Sequence, residues 1–344
     1  MNQGGERSAI YLLMLLTSIA CASQQPPNQS PLGRDPAPAA KSPATNSHAV
    51  TLATSSGNLA GTLQLPSGRT PVPVVLIIAG SGPTDRDGNT PALPGSNNSL
   101  KLLAEGLAGR GLASLRYDKR GVGGSASAAT RESELRFTNY VDDAAAWIRH
   151  LRSDRRFSTL TVIGHSEGSL IGMIAAKQAG ADAFVSIAGA GRRPQDIITE
   201  QLSAQLPVAT VNRAKEIMKQ IETGGKPDSI PPVLAPLFRP SVQPYLVSWF
   251  KFDPTAEIAG LTIPAMVVQG TTDLQITQED ARRLAAAYPA ATMLTVEGMN
   301  HVMKKAPAGR QEQMMSYMDP SMPVVPSMLD GIAAFVRGVA RKKA

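Results

Sequence analysis

The chain carries one Gly-x-Ser-x-Gly pentapeptide, Gly164-His165-Ser166-Glu167-Gly168. A serine hydroxyl is a weak nucleophile until a base takes its proton, so this pattern points to acyl transfer only if a histidine lies in reach and a carboxylate holds it. Residues 160–163 read as a buried strand and residues 170–178 as a helix, which leaves the five residues between them to make a sharp turn. Such a turn presents one side chain above a sheet edge and crowds the backbone on either side, which accounts for glycine at positions 164 and 168.

Four histidines are available, and their settings sort them. His48 lies in a polar N-terminal stretch, His150 on the helix before the nucleophile strand, and His165 inside the turn itself. His301 remains, in Glu297-Gly298-Met299-Asn300-His301 after a short strand over residues 292–296. The carboxylate should follow the preceding strand, residues 263–269, which runs into Gly270-Thr271-Thr272-Asp273. The chain order is then Ser166, Asp273, His301. Asp253, Asp280 and Glu297 are rivals; Asp253 falls in a helical insertion and Asp280 in a helix, where surface charge is the simpler role, and Glu297 is the weaker neighbour of His301.

Attack on a carbonyl creates an oxyanion, which two backbone N–H groups should meet. The turn supplies one, the N–H of Glu167. The loop that begins Gly80-Ser81-Gly82-Pro83, after the strand over residues 72–79, should supply the other. Ser81 is favoured there, with Gly82 second. Asp85, Arg86 and Asp87 on this loop, and Asp118, Lys119 and Arg120 on the next, would share one sheet edge and brace the oxyanion loop by mutual ion pairs; direct substrate contact is the alternative.

The elements that must hold these groups follow from apolar periodicity. Residues 50–54 and 58–65 suggest an opening hairpin, and residues 72–79, 112–117, 160–163, 183–187 and 263–269 read as strands covered on both faces. Helical spacing recurs in Leu100, Leu103, Ala104 and Leu107, and again over residues 140–151, 278–287 and 326–337. Alternating strands and helices specify a mostly parallel, twisted α/β sheet with helices on both faces. The alternation breaks at residues 191–254, where helical segments over 196–206 and 208–221 and a proline-rich stretch with Trp249 and Phe250 read as an inserted helical cap.

Three segments together carry a closer likeness. Residues 80–89, Gly-Ser-Gly-Pro-Thr-Asp-Arg-Asp-Gly-Asn, residues 116–123, Arg-Tyr-Asp-Lys-Arg-Gly-Val-Gly, and the Gly-His-Ser-Glu-Gly turn resemble the bacterial EstD-type carboxylesterases of the α/β-hydrolase superfamily. The likeness covers roughly residues 50–337. It implies an α/β-hydrolase fold and a carboxylesterase acting on short acyl esters without metal or cofactor. Two positions depart from the pattern: Ala79 stands where many relatives have His, and Ser169 where a further Gly is common.

The chain has 344 residues, 42% hydrophobic and 18% charged, which suits a large core and excludes general disorder. The net charge of +7 is scattered, the pattern of a solvated surface and not of a nucleic-acid partner. A single cysteine, Cys21, excludes an intramolecular disulfide. Residues 1–22 read as a signal peptide, with Arg7 followed by an uncharged apolar run over 8–22. Ala20-Cys21-Ala22 fits either a secretory cleavage site or a lipoprotein signal in which Cys21 is lipidated. Export follows, to the periplasm or to a lipid-anchored position on the bacterial envelope. Residues 23–48, rich in Pro, Ala and Ser, read as a flexible tether, and residues 49–344 as the folded domain.

Rival functions remain open at this level. A peptidase or thioesterase would share the triad, because the cap selects the substrate. The apolar side chains Leu234, Leu237, Phe238, Trp249 and Phe250 favour acyl groups if they line a pocket, and are cap core otherwise. Ser248-Trp249-Phe250-Lys251 fits the Ser-x-x-Lys pattern of β-lactamases without the accompanying Lys-Thr-Gly. A non-catalytic binding module on the same fold is the reading from another class, and the intact Ser166, Asp273 and His301 set weighs against it.

Overall fold

The strand over Val72–Ile78 (β3) shows why the chain forms a two-faced layer. Val74, Leu76 and Ile78 point into one apolar cluster, and Val75 and Ile77 into another. A strand alternates faces with a period of two, so an unbroken apolar run requires cover on both sides. The computed structural model describes residues 46–68 and 71–343. The expected signal segment, Cys21 and most of the expected tether lie outside the described residues.

Among the described residues, eight strands form one sheet in the order β1-β2-β4-β3-β5-β6-β7-β8. β1 (Asn46–Thr54) and β2 (Gly57–Leu65) pair antiparallel, and β2 pairs antiparallel with β4 (Ala113–Tyr117). β3, β5 (Phe157–His165), β6 (Ala183–Ile187), β7 (Ala265–Gly270) and β8 (Thr292–Val296) continue in parallel. The tether ends earlier than residue 48, because Asn46, Ser47 and His48 already pair with Leu65, Gln64 and Leu63. Three polar residues join the sheet there because the hairpin register carries them opposite the end of β2.

Helices α1 (Ser99–Ala108) and α11 (Pro326–Lys343) pack on one face, through Leu100, Leu103, Met328 and Ile332. Helices α2 (Phe137–Arg152) and α3 (Glu167–Ala179) cover the other, through Phe137, Trp147, Ile171 and Ile174. Between β6 and β7 lie α4 (Pro194–Ser203), α5 (Val208–Glu222), the short α6 (Ala235–Phe238), α7 (Gln243–Trp249) and α8 (Pro254–Ala259). The first four of these occupy the stretch expected as a cap, and Leu202, Ile217, Phe238 and Leu246 join its core to that of α2 and α3. Leu234, Leu237 and Phe238 are therefore cap core. After β7 come α9 (Gln278–Ala287) and, beyond β8, α10 (Arg310–Met314).

The chain leaves β3 for β4 on one side and then crosses back to β5 on the other. In an open α/β sheet such a reversal opens a crevice at the carboxyl ends of the two strands. The loops after β3 and β5 flank it, and they carry Ser81 and Ser166.

Candidate active site

β5 stops at His165, and Ser166 takes φ 55° and ψ −123°, a conformation strained for any residue with a side chain, before α3 begins at Glu167. The flanking glycines permit this turn. A Cβ on Gly164 would lie 2.1 Å from the carbonyl oxygen of Gly168, and one on Gly168 would lie 2.5 Å from that of Ile78. Both contacts are to backbone, which cannot swing aside. Ser166 is pinned on either side of its own strain: its N–H donates to Ile187 O at 3.0 Å and its carbonyl accepts from Ser169 N at 2.9 Å.

The other two expected groups meet at the same sheet edge. His301 Nδ1 lies 2.9 Å from Asp273 Oδ2, with both side chains at most 3% exposed. Asp273 Oδ1 accepts from the backbone N–H of Gln275 at 2.8 Å and of Ile276 at 3.0 Å, while Gln269 Nε2 reaches Oδ2 at 3.3 Å. A carboxylate that accepts on all sides keeps the proton on His301 Nδ1 and leaves Nε2 with a lone pair. The loops carrying the pair are locked together: Thr272 N–H donates to Met299 O at 3.2 Å, and a Cβ on Gly270 would come within 1.9 Å of that same oxygen.

His165 ties the nucleophile turn to the histidine loop. Its Nε2–H donates to the carbonyl oxygen of His301 at 2.8 Å, and the two rings lie 4.8 Å apart. Burial first, and the nearby His301 ring second, push the His165 pKa down to about 4, so its ring is neutral at pH 7. Ser166 Oγ itself is not hydrogen-bonded to His301; in resting enzymes such contacts commonly close only around substrate.

Neither expected oxyanion donor, Ser81 N–H or Glu167 N–H, has a hydrogen-bond partner among the described residues, and both residues border one cavity with Ser166. Gly80 brings their loops together, since a Cβ there would sit 3.1 Å from that of Ser166. Gly82, the second choice, takes φ 71° and borders a different cleft, with Pro83, Asp85 and Tyr140.

The charged loops pair differently from the expected network. Asp118 does brace the oxyanion loop, accepting from Arg86 N–H at 2.7 Å and lying 3.0 Å from the Arg86 guanidinium. Asp85 ties its own loop by accepting from the N–H groups of Asp87 and Asn89. Asp87 pairs with Arg116 on β4, at 2.8 Å. Arg120 departs from the expectation: it forms a two-pronged pair with Asp143 on α2, at 2.6 and 2.8 Å, because the chain turns away from the edge after Lys119. Lys119 points back instead, donating to Gly80 O at 2.5 Å.

Comparison with known proteins bears on the fold. A family described as serine aminopeptidase, S33, matches residues 96–229. Esterase EstD of Thermotoga maritima is 28% identical over 248 residues, 71% of this chain and 58% of that protein. Among solved structures, the α/β hydrolase GrgF from Penicillium sp. sh18 superposes with a TM-score of 0.57 at 17% identity, over 86% of this chain and 99% of the other. Est1E from Butyrivibrio proteoclasticus gives 0.52 at 16% identity, over 86% and 98%. The chain has the α/β-hydrolase fold. The matched stretch spans 58% of the length of the EstD relative.

Within this fold Asp253 and Asp280 hold structural posts. Asp253 caps α8 by accepting from Thr255 N–H. Asp280 is not the surface charge expected but fully buried, held by the Arg192 guanidinium at 2.7 and 2.9 Å and by Gly191 N–H. Glu297 is exposed. Ser248 accepts from Phe137 N–H and donates to Tyr245 O, and Lys251 is exposed, so that pair forms no second centre. The cavity beside Ser166 measures about 30 Å³ and is walled mainly by apolar groups, among them Leu170, Ile197, Trp249 and Ile276. Sequence reasoning missed the posts of His165 and Tyr245, whose partners lie far along the chain, and that of Gln269, which holds Asp273 and Ile276 on the adjoining loop.

Proposed function

We propose that this protein is a serine carboxylesterase that hydrolyses short acyl esters through an acyl-enzyme. The observation that carries the proposal is the buried His301–Asp273 pair, 2.9 Å across, at the sheet edge that also holds the strained Ser166 turn. Ser166 Oγ attacks the ester carbonyl while its proton passes to His301 Nε2. The carbonyl electron pair becomes an oxyanion facing the N–H groups of Ser81 and Glu167, each such donor being worth about 10²–10³ in rate. The Asp273 side chain, hydrogen-bonded to Nδ1, steadies the imidazolium. Collapse expels the alcohol oxygen, which takes the proton from His301 and leaves the acyl group on Ser166. Water then repeats the sequence, giving its proton to His301 and releasing the acid.

The lining of the cavity supports the substrate class: Leu170, Ile197, Trp249 and Ile276 offer apolar walls to the hydrocarbon part of an acyl group. The aminopeptidase description of the matching family favours a peptidase as the second reading. A substrate ammonium would need a free carboxylate, and the one at this cavity, Glu167, is engaged by Tyr245 at 2.6 Å and faces Lys119 at 3.7 Å. Export, either to the periplasm or to a lipid-anchored position through Cys21, is part of the proposal on the strength of residues 1–22 alone.

The test is a series of p-nitrophenyl esters of increasing acyl length, with an aminoacyl p-nitroanilide as control. Highest kcat/KM on the shortest esters, abolished in Ser166→Ala, is expected. A normal ester rate in Ser166→Ala, or an anilide preferred over every ester, overturns the assignment.

A further inference from the structure

Lys119 is a buried cation that the proposed chemistry leaves unused. It lies two residues beyond the end of β4 and is 1% exposed. Its ammonium reaches across the sheet edge to donate to Gly80 O at 2.5 Å. The carbonyl of Gly80 and the N–H of Ser81 belong to one peptide group, and in a trans peptide the two point in opposite directions. A donor that holds the carbonyl on one side therefore aims the N–H on the other, and the positive charge also polarises that peptide toward stronger donation.

The same ammonium lies 3.7 Å from Glu167 Oε2, and the backbone N–H of Glu167 is the second oxyanion donor. Glu167 Oε2 has no hydrogen-bond partner, so Lys119 supplies the charge that offsets its burial. Tyr245, on cap helix α7, donates to Glu167 Oε1 at 2.6 Å, and the Tyr140 ring lies 5.0 Å from the ammonium. Burial, followed by the adjoining carboxylate, pushes the Tyr245 phenol well up, so it remains a donor.

We infer that Lys119 is a positioning residue that aims both oxyanion donors, through Gly80 O for Ser81 and through the Glu167 carboxylate for Glu167, with Tyr245 joining that alignment to the cap. The inference rests on the assignment of those two N–H groups proposed above.

Two measurements on full-length protein test it: ester kinetics, and affinity for a short alkyl trifluoromethyl ketone. The ketone accepts Ser166 Oγ as a hemiketal whose oxygen becomes the oxyanion, so its affinity reads the donors without requiring turnover. Lys119→Met is expected to lower kcat about 10²-fold with KM within about threefold, and to weaken the ketone in parallel. Loss of one buried charge could unfold that variant, so Lys119→Met/Glu167→Gln, which leaves no unpaired buried charge, is measured beside it with thermal melts and should show the same kcat and ketone losses. Tyr245→Phe should show a smaller fall in kcat. A folded single or double variant with kcat within about threefold of wild type overturns the inference, as does an unchanged ketone affinity. A wild-type protein that hydrolyses no ester yet binds ketone through Ser166 would sink the esterase proposal while leaving the Lys119 comparison intact.

Discussion

Replacing Asp273 with asparagine changes one atom of the side chain and should remove most of the activity. Every contact of the carboxylate is to a donor: His301 Nδ1 at 2.9 Å and Gln269 Nε2 at 3.3 Å on Oδ2, and the N–H groups of Gln275 and Ile276 on Oδ1. An amide offers a single accepting oxygen. Two backbone donors outweigh one ring and one distant amide, so the Asn oxygen takes the Oδ1 place and the NH₂ faces His301. The ring then carries its proton on Nε2, the atom that must accept the serine proton. Loss of the correct tautomer at a triad costs about 10⁴ in kcat, equivalent to about 5 kcal/mol of barrier. Kinetics on p-nitrophenyl acetate at neutral pH measure it, with a thermal melt to establish that the variant is folded. A folded Asp273→Asn protein within tenfold of wild-type kcat would refute both the tautomer argument and the role given to Asp273.

Two further outcomes follow from particular contacts. The folded-state pKa of His165 is depressed from 6.5 to about 4, so between those values the unfolded chain binds the extra proton and the stability held above pH 6.5 is lost as the pH falls. The change is about 3 kcal/mol across the window, read as the difference in denaturant stability between wild type and His165→Gln; parallel pH curves for the two proteins would refute it. Trp249→Ala should enlarge the cavity of about 30 Å³ and move the best substrate from acetyl toward longer acyl chains, with kcat/KM on the longer esters rising by about tenfold or more; an unchanged chain-length profile would remove Trp249 from the acyl wall.

Legibility in the sequence tracked locality. The Ser166 turn was readable because its cause is local: a strand, two glycines and a helix lie within a few residues, and any side chain at Gly164 or Gly168 meets backbone. The loops of Asp273 and His301 could be placed because each follows a strand directly, and the scarcity of histidines did the rest. Arg120 and Lys119 mark where this ends. They are adjacent and both basic, yet one pairs with Asp143 on α2 and the other with Gly80 O on the neighbouring loop. Asp280 was misjudged for the same cause, since its burial depends on Arg192, 88 residues away.

Strand and helix order, the nucleophile turn and the set of groups able to do acyl chemistry were thus determined by the amino-acid sequence alone, because apolar period and glycine placement act over a few bonds. The partners of buried charges, the tie between His165 and His301, the clamp on Gly80 and the apolar lining of the cavity beside Ser166 were decided only by the tertiary structure. Each joins segments distant along the chain, and which polar groups meet there is settled by how the layers pack and by the need of every buried charge for a partner.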